Sequence, residues 1–128
     1  MELQTKTTLP YDIHYLGFVE CFNQQLYYEA HDVLEELWLG TRGDQRDYYK
    51  GLIQIAGAFV HLKKGHTDPA ARLMRLSTKY LTPFVPVKDG LRVASLLAHM
   101  QVWLRAIEES HGTTNPYNPQ HSPQIIIE

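Results

Sequence analysis

The sequence predicts an all-α protein: a single compact bundle of about five helices, followed by an extended C-terminal tail that contains prolines. Over most of the chain, apolar residues recur at intervals of three and four, which is the spacing of one helix face. Glycine, proline, asparagine and aspartate separate these stretches at lengths that suit helices. No internal repeat is visible. With 128 residues, of which 44% are hydrophobic, the chain has room for one domain with a core.

The first two helices are predicted on either side of a short polar connection. A helix is expected over residues 11–23, where apolar side chains recur every third position. Residues 23–25, with the sequence Asn-Gln-Gln, are expected to form the connection. The second helix begins at Tyr27 and ends near Gly40, because glycine suits the left-handed position just after a helix.

The third and fourth helices each have an aspartate near their predicted start. Asp44 is expected to cap the third helix, which continues to about residue 64 and is closed by Gly65. This helix is apolar around most of its circumference, which indicates a central position in the bundle. Asp68 is expected to cap the fourth helix, which continues to Leu81.

A fifth helix is predicted over residues 90–110, with Asp89 at its start and Gly112 after its end. Residues 82–88 contain two prolines and are expected to be extended.

Composition divides the chain into three segments. Residues 1–10 are predicted to be a flexible N-terminal arm, residues 11–112 the helical bundle domain, and residues 113–128 the extended tail. The tail ends in three isoleucines, which are expected either to pack on the bundle or to pair with another chain.

Charge is unevenly distributed although the net charge is only −2. Residues 1–47 carry nine acids and three bases, whereas residues 60–92 carry seven bases and two acids. Such faces allow a homodimer, through complementary charges or through the tail, but two solvated faces that differ in charge are the more common explanation. Nucleic acid binding is not favoured, because no aromatic-rich segment accompanies the bases, which include Lys63, Lys64, Arg72, Arg75 and Lys79.

The single cysteine, Cys21, excludes an internal disulfide and a metal centre with several cysteines. The chain has no secretory signal pattern and no apolar run of membrane-spanning length. A cytoplasmic protein without a membrane partner is therefore expected.

The candidate site lies in residues 27–38, with the sequence YYEAHDVLEELW. His31 and Glu35 are one helical turn apart and share a strip with Trp38, on the side that should be buried. A buried imidazole and a buried carboxylate need partners. On the third helix, Gln54 and His61 are aligned with small residues between them, so the two helices can bring all four polar side chains together.

Two interpretations of this set stay open. In one, a divalent metal ion is held by His31, Glu35 and His61, since a zinc site usually takes three protein ligands, and Tyr28, Trp38 and Gln54 contact a small polar ligand. In the other, the histidine and glutamate form a hydrogen-bonded pair that fixes the angle between helices, and His61 belongs to a solvated stripe.

The pattern H-x-x-x-E-x-x-W, formed by His31, Glu35 and Trp38, resembles the signature of a family of small bacterial and archaeal proteins. This family is catalogued as domain of unknown function number three hundred and nine. Residues 49–58, YKGLIQIAGA, resemble its second block. The resemblance implies a helical bundle, a metal role for the His/Glu motif and a place for Gln54 in the site. It implies no substrate.

The expected function is therefore binding of a divalent metal ion or a small polar ligand between helices. His31 and Glu35 are the catalytic candidates if the site is an enzyme's, and no reaction can be assigned. The alternative is a non-enzymatic interaction or scaffold protein.

Overall fold

A computed structural model describes residues 11–128, and these residues form five α-helices. They are α1 (Ile13–Asn23), α2 (Tyr27–Leu39), α3 (Gly43–Lys63), α4 (Thr67–Leu81) and α5 (Val93–Glu109). Two short 3-10 helices follow α4 and precede the C-terminus, at Thr82–Phe84 and Pro119–His121. The predicted all-α bundle is confirmed, while the predicted N-terminal arm, residues 1–10, lies outside the described residues.

Helix α3 is the centre of the bundle. It packs between α2 and α4, while α1 packs on α2 and α5 packs on α4. Phe59 of α3 lies in the aromatic core, with ring centroids 5.7 Å from Phe22, 5.0 Å from Tyr27 and 5.3 Å from Trp103. At Gly51 a Cβ atom would lie 2.6 Å from Leu81 Cγ, so the missing side chain lets α3 and α4 approach closely.

The predicted helix ends need small corrections. Asp44 and Asp68 lie in the first turns of α3 and α4 and do not cap them, because each helix begins two residues earlier than expected. A carboxylate there still interacts favourably with the helix dipole. Gly40 has φ −98°, so it does not take the left-handed conformation, whereas Gly65 does, with φ 81°.

The predicted start of the fifth helix at Asp89 is wrong. A small antiparallel hairpin, β1 (Val87–Lys88) and β2 (Leu91–Arg92), precedes α5. Asp89 and Gly90 form its turn with φ 49° and 75°, and Asp-Gly is a preferred pair for such two-residue turns.

Two buried tyrosines hold this turn against the bundle. Their hydroxyl oxygens, on Tyr15 and Tyr48, are 2.8 Å apart. Tyr15 also lies 3.0 Å from the Asp89 carbonyl, and Tyr48 lies 3.1 Å from the Lys88 carbonyl. Burial raises the pKa of both hydroxyls well above the ordinary tyrosine value, so both stay protonated.

The tail packs on the bundle of its own chain. Asn23 exchanges two hydrogen bonds with the backbone of Ile125, of 2.8 and 2.7 Å, and Ile125 is only 4% exposed. Ile127 pairs with Leu91 as an isolated bridge that extends the hairpin. Tyr117 packs against the aromatic core and donates a hydrogen bond to Gln25. None of the helices in residues 11–128 has the length and apolar character needed to cross a membrane.

Candidate functional site

Helix α2 buries one face in the core, and the edge of that face is exposed to solvent. Tyr27, Ala30 and Leu34 are fully buried in the core. His31 and Glu35, one position further round the helix, are half-buried, and the His31 side chain is 32% exposed. The expectation that both lie on the buried side is therefore corrected, because they sit at its rim and are accessible to water.

Three side chains of α2 converge at this rim. One ligand atom from each of His31, Asp32 and Glu35 lies within 4.8 Å of the other two. His31 Nδ1 lies 3.2 Å from Asp32 Oδ1, within hydrogen-bond distance. If Nδ1 carries the hydrogen of this bond, Nε2 is left as a free acceptor, which is the state that a metal-binding imidazole needs.

Asp32 was not part of the set predicted from the sequence. Adjacent residues on a helix point about 100° apart, so helical spacing places Asp32 on the solvated face. The imidazole turns sideways toward the carboxylate, which is 54% exposed. Only side-chain torsions decide this contact, and the sequence contains no signal for them.

The three side chains stand beside the line along α3 where side chains of α2 and α4 meet above it, and this line is called the groove below. At one end of the groove, a Cβ added at Gly57 would lie 4.0 Å from His31 Cδ2 and 3.2 Å from Leu73 Cδ1. At the other end, Lys50 Nζ lies 5.0 Å from the Trp38 ring centroid and 6.0 Å from that of Tyr80. Both ends thus have one wall from α2 and one from α4.

The same contacts give the register of α2 against α3, which run antiparallel. Seven residues separate His31 from Trp38 on α2, and seven separate Gly57 from Lys50 on α3. Glu35 lies four residues after His31, so it is level with Ile53, four residues before Gly57. Gln54 is the next residue after Ile53. Gln54 thus lies along the floor between the two ends of the groove.

Two polar atoms near this groove are buried without a hydrogen-bond partner among the described residues. They are the side-chain Oε1 of Gln54, a residue only 8% exposed, and the indole Nε1 of Trp38. Unpartnered buried polar atoms are rare in folded proteins and each calls for an explanation. The sequence placed both residues in the site, but their lack of partners is visible only in the structure.

His61 and Tyr28 are not among the three converging side chains. His61 is one turn beyond Gly57 on α3, and its ring centroid is 5.8 Å from that of His66. Burial lowers the pKa of His61, and the charges of His66, Lys64 and Arg72 lower it further. Tyr28 is 64% exposed.

Tyr28 instead lines a surface cavity of about 300 Å³ at the start of α2, together with Val60 and Lys63.

Comparison with known proteins matches part of this chain to a family of unknown function. Residues 15–73 match the model of a family described as Domain of unknown function (DUF309). The chain is 38% identical over 85 residues to the "Uncharacterized protein YpuF" of Bacillus subtilis (strain 168). That alignment covers 64% of this chain and 49% of YpuF, so the chain spans about half the length of this relative. No solved structure is significantly similar to the chain.

The matched segment contains the α2 wall and the α3 floor of the groove, and the α4 wall as far as Leu73. Neither the family description nor the relative's name states an activity. The resemblance predicted from the sequence is thus confirmed: residues 15–73 of this chain match the DUF309 family.

Proposed function

We propose that the rim of the groove binds a divalent metal ion through His31, Glu35 and Asp32. The observation that carries this proposal is the convergence of one nitrogen and two carboxylate donors within 4.8 Å of one another. Ligands of one four-coordinate zinc ion lie roughly 3.4 Å apart, given metal–ligand bonds of about 2.1 Å. Small side-chain rotations close the remaining gap, since all three groups are at least partly exposed.

The donor types restrict the metals. One imidazole with two carboxylates suits zinc, manganese or nickel better than a soft ion that prefers thiolates. Three protein ligands on one helix also leave positions open for water or a ligand. If Asp32 keeps its hydrogen bond to His31, it orients the ring instead, and the protein supplies two direct ligands. His61 remains a candidate third ligand in that arrangement.

A titration of metal-free protein with manganese, zinc and nickel tests the proposal. By calorimetry we expect saturable binding of one ion, and at least about tenfold weaker binding after His31→Ala or Glu35→Gln, because each change removes a direct ligand. Glu29→Gln removes an exposed carboxylate of the same helix, and His99→Ala removes an exposed histidine of α5. Both control variants should bind like the unchanged protein, and equal binding by His31→Ala would refute the metal site.

The alternative, a scaffold in which the histidine and glutamate are structural, predicts a different result in the absence of metal. Within residues 11–128 no hydrogen bond joins His31 or Glu35 to another helix. We therefore expect His31→Ala to change the melting temperature of metal-free protein by little, since functional polar groups often stand at a cost to stability. A loss of several kcal/mol of unfolding free energy in His31→Ala would favour the structural alternative.

A further inference from the structure

We propose that the other end of the groove is a subsite for a phosphate group, formed by Arg46 and Lys50 over the indole of Trp38. The ligand class is a small phosphorylated molecule that lies along the groove. This inference goes beyond the proposed metal site and does not require a metal to be bound.

Two cations share one aromatic ring at this end. The guanidinium carbon of Arg46 lies 4.1 Å from the Trp38 ring centroid, and Lys50 Nζ lies 5.0 Å from it. The two cations are one turn apart on α3, where like charges repel. Within residues 11–128, neither makes an ion pair with a carboxylate within 4.0 Å. Among the residues that the structure describes, these two half-buried positive charges therefore have no carboxylate counter-ion within 4.0 Å.

The neighbouring polar atoms suit an oxyanion. Trp38 Nε1 is a buried donor that has no hydrogen-bond partner in the described part of the chain. The side-chain amide of Gln54, one helical turn after Lys50, has a buried oxygen with no partner among residues 11–128. Rotation of this amide by 180° places its NH2 donor there instead. Indole and amide donors beside an ammonium and a guanidinium form an acceptor-binding set.

Charge favours phosphate over a carboxylate. A phosphate monoester carries about −1.5 to −2 at pH 7, which matches two cations, whereas a carboxylate neutralises only one. Arg46 lies over the ring, and one guanidinium nitrogen donates a long hydrogen bond of 3.5 Å to the Thr41 carbonyl. The remaining N–H groups can make the paired hydrogen bonds that this group forms with phosphate oxygens.

Tryptophan fluorescence tests the subsite in the full-length protein. The chain has two tryptophans, and Trp103 is 8% exposed in the aromatic core, so Trp38 is the one that responds to the groove. Titration with inorganic phosphate, and with a simple phosphate monoester, at constant ionic strength should give a saturable change in emission. Lys50→Gln and Arg46→Gln should each weaken that binding at least about tenfold, since each removes a charge-assisted contact.

Lys79→Gln removes an exposed lysine of α4 and should leave phosphate affinity within about twofold of the unchanged protein. His31→Ala should keep the fluorescence response to phosphate even if it abolishes metal binding. Failure of the metal proposal and failure of the phosphate proposal can therefore be told apart. Circular dichroism of each variant confirms that it is folded. An equal response to chloride, no saturable response to either phosphate, or equal losses in Lys50→Gln and Lys79→Gln would overturn the proposal.

Discussion

At the residue scale, the site depends on where α2 passes from buried to exposed. Ala30 and Leu34 are fully buried, and His31 and Glu35 follow each of them by one position. A rotation of about 100° per residue therefore carries the polar pair from the core to the edge of the groove. Metal ligands in such a position have access to solvent and yet are backed by a rigid helix, which is what a binding site needs.

His61 gives a pH-dependent prediction, because burial lowers its pKa in the folded state. The unfolded chain takes up this proton near the ordinary histidine value of about 6.5, while the folded protein takes it up only at lower pH. Between these two values the unfolded state binds more protons, so stability is lost as the pH falls.

Between pH 7 and pH 5 we expect the melting temperature of the unchanged protein to fall more than that of His61→Gln. Thermal unfolding followed by circular dichroism at several pH values measures the difference. His99→Gln removes an exposed histidine instead and should show the pH dependence of the unchanged protein. Parallel curves for the unchanged protein and His61→Gln would show that burial at this position has no such effect.

Much of the candidate site could be predicted from the sequence, since helical spacing alone puts His31, Glu35 and Trp38 on one strip. Two features could not. The contact between His31 and Asp32 depends on side-chain torsions, and helical spacing assigns the two residues to different faces. The burial of Gln54 depends on how closely α2 and α4 flank α3, which only tertiary packing decides.

At the element scale, the five helices were predictable because each carries a long apolar periodicity. The hairpin before α5 was not predicted, because aspartate is common both at helix starts and in tight turns. The strands on either side of the turn at Asp89 and Gly90 are only two residues long. Such strands are too short to show the alternation of apolar and polar residues by which a strand is predicted. Buried tyrosines from α1 and α3 then hold it in place.

Two glycines of α3 allow its packing against α4 to be tested with a matched pair of variants. A Cβ at Gly51 would lie 2.6 Å from Cγ of Leu81, which is fully buried, and 3.2 Å from Tyr80 Cβ. A Cβ at Gly57 would lie 3.2 Å from Leu73 Cδ1 and at an ordinary contact distance of 4.0 Å from His31 Cδ2, and Leu73 is half-buried and can shift.

We expect Gly51→Ala to lower stability, since an overpacked core costs about 1–3 kcal/mol and exceeds the gain in helix propensity. Gly57→Ala should instead be neutral or raise stability by up to about 1 kcal/mol, because that gain is retained. Urea unfolding of both variants gives the two free energies. Equal effects at both glycines would mean that close approach of the helices is not confined to Gly51.

At the scale of the whole molecule, the core is completed by parts of the chain that lie outside the family match. Residues 15–73 hold α1 to α3 and the first half of α4, apart from the first two residues of α1. Helix α5 and the tail then cover the aromatic cluster, with Trp103 and Tyr117 against Phe59. The aromatic core is thus shared between the matched segment and the C-terminal part of the chain.

Two neighbouring isoleucines test whether the tail is part of the fold. Ile125 is 4% exposed and hydrogen-bonded through its backbone to Asn23, whereas Ile126 is 71% exposed. Ile125→Ala should cost about 2–5 kcal/mol of unfolding free energy, as for other buried isoleucines, and Ile126→Ala should cost almost nothing. Chemical denaturation of the two variants measures the contrast, and similar values would mean that the tail does not pack in solution as described.

The two tyrosines behind the hairpin have too few hydrogens for the contacts they make. The two hydroxyls contact each other, and each also contacts one backbone carbonyl, which makes three close oxygen pairs. Only two hydroxyl hydrogens are present to form these three contacts. In one arrangement Tyr15 donates to Asp89 and Tyr48 donates to Tyr15; in another, Tyr48 donates to Lys88 and Tyr15 donates to Tyr48. In a third arrangement each hydroxyl donates to its own carbonyl, and the contact between the two hydroxyls has no hydrogen. The turn is therefore held by three interchangeable proton arrangements, each of which serves two of the three contacts.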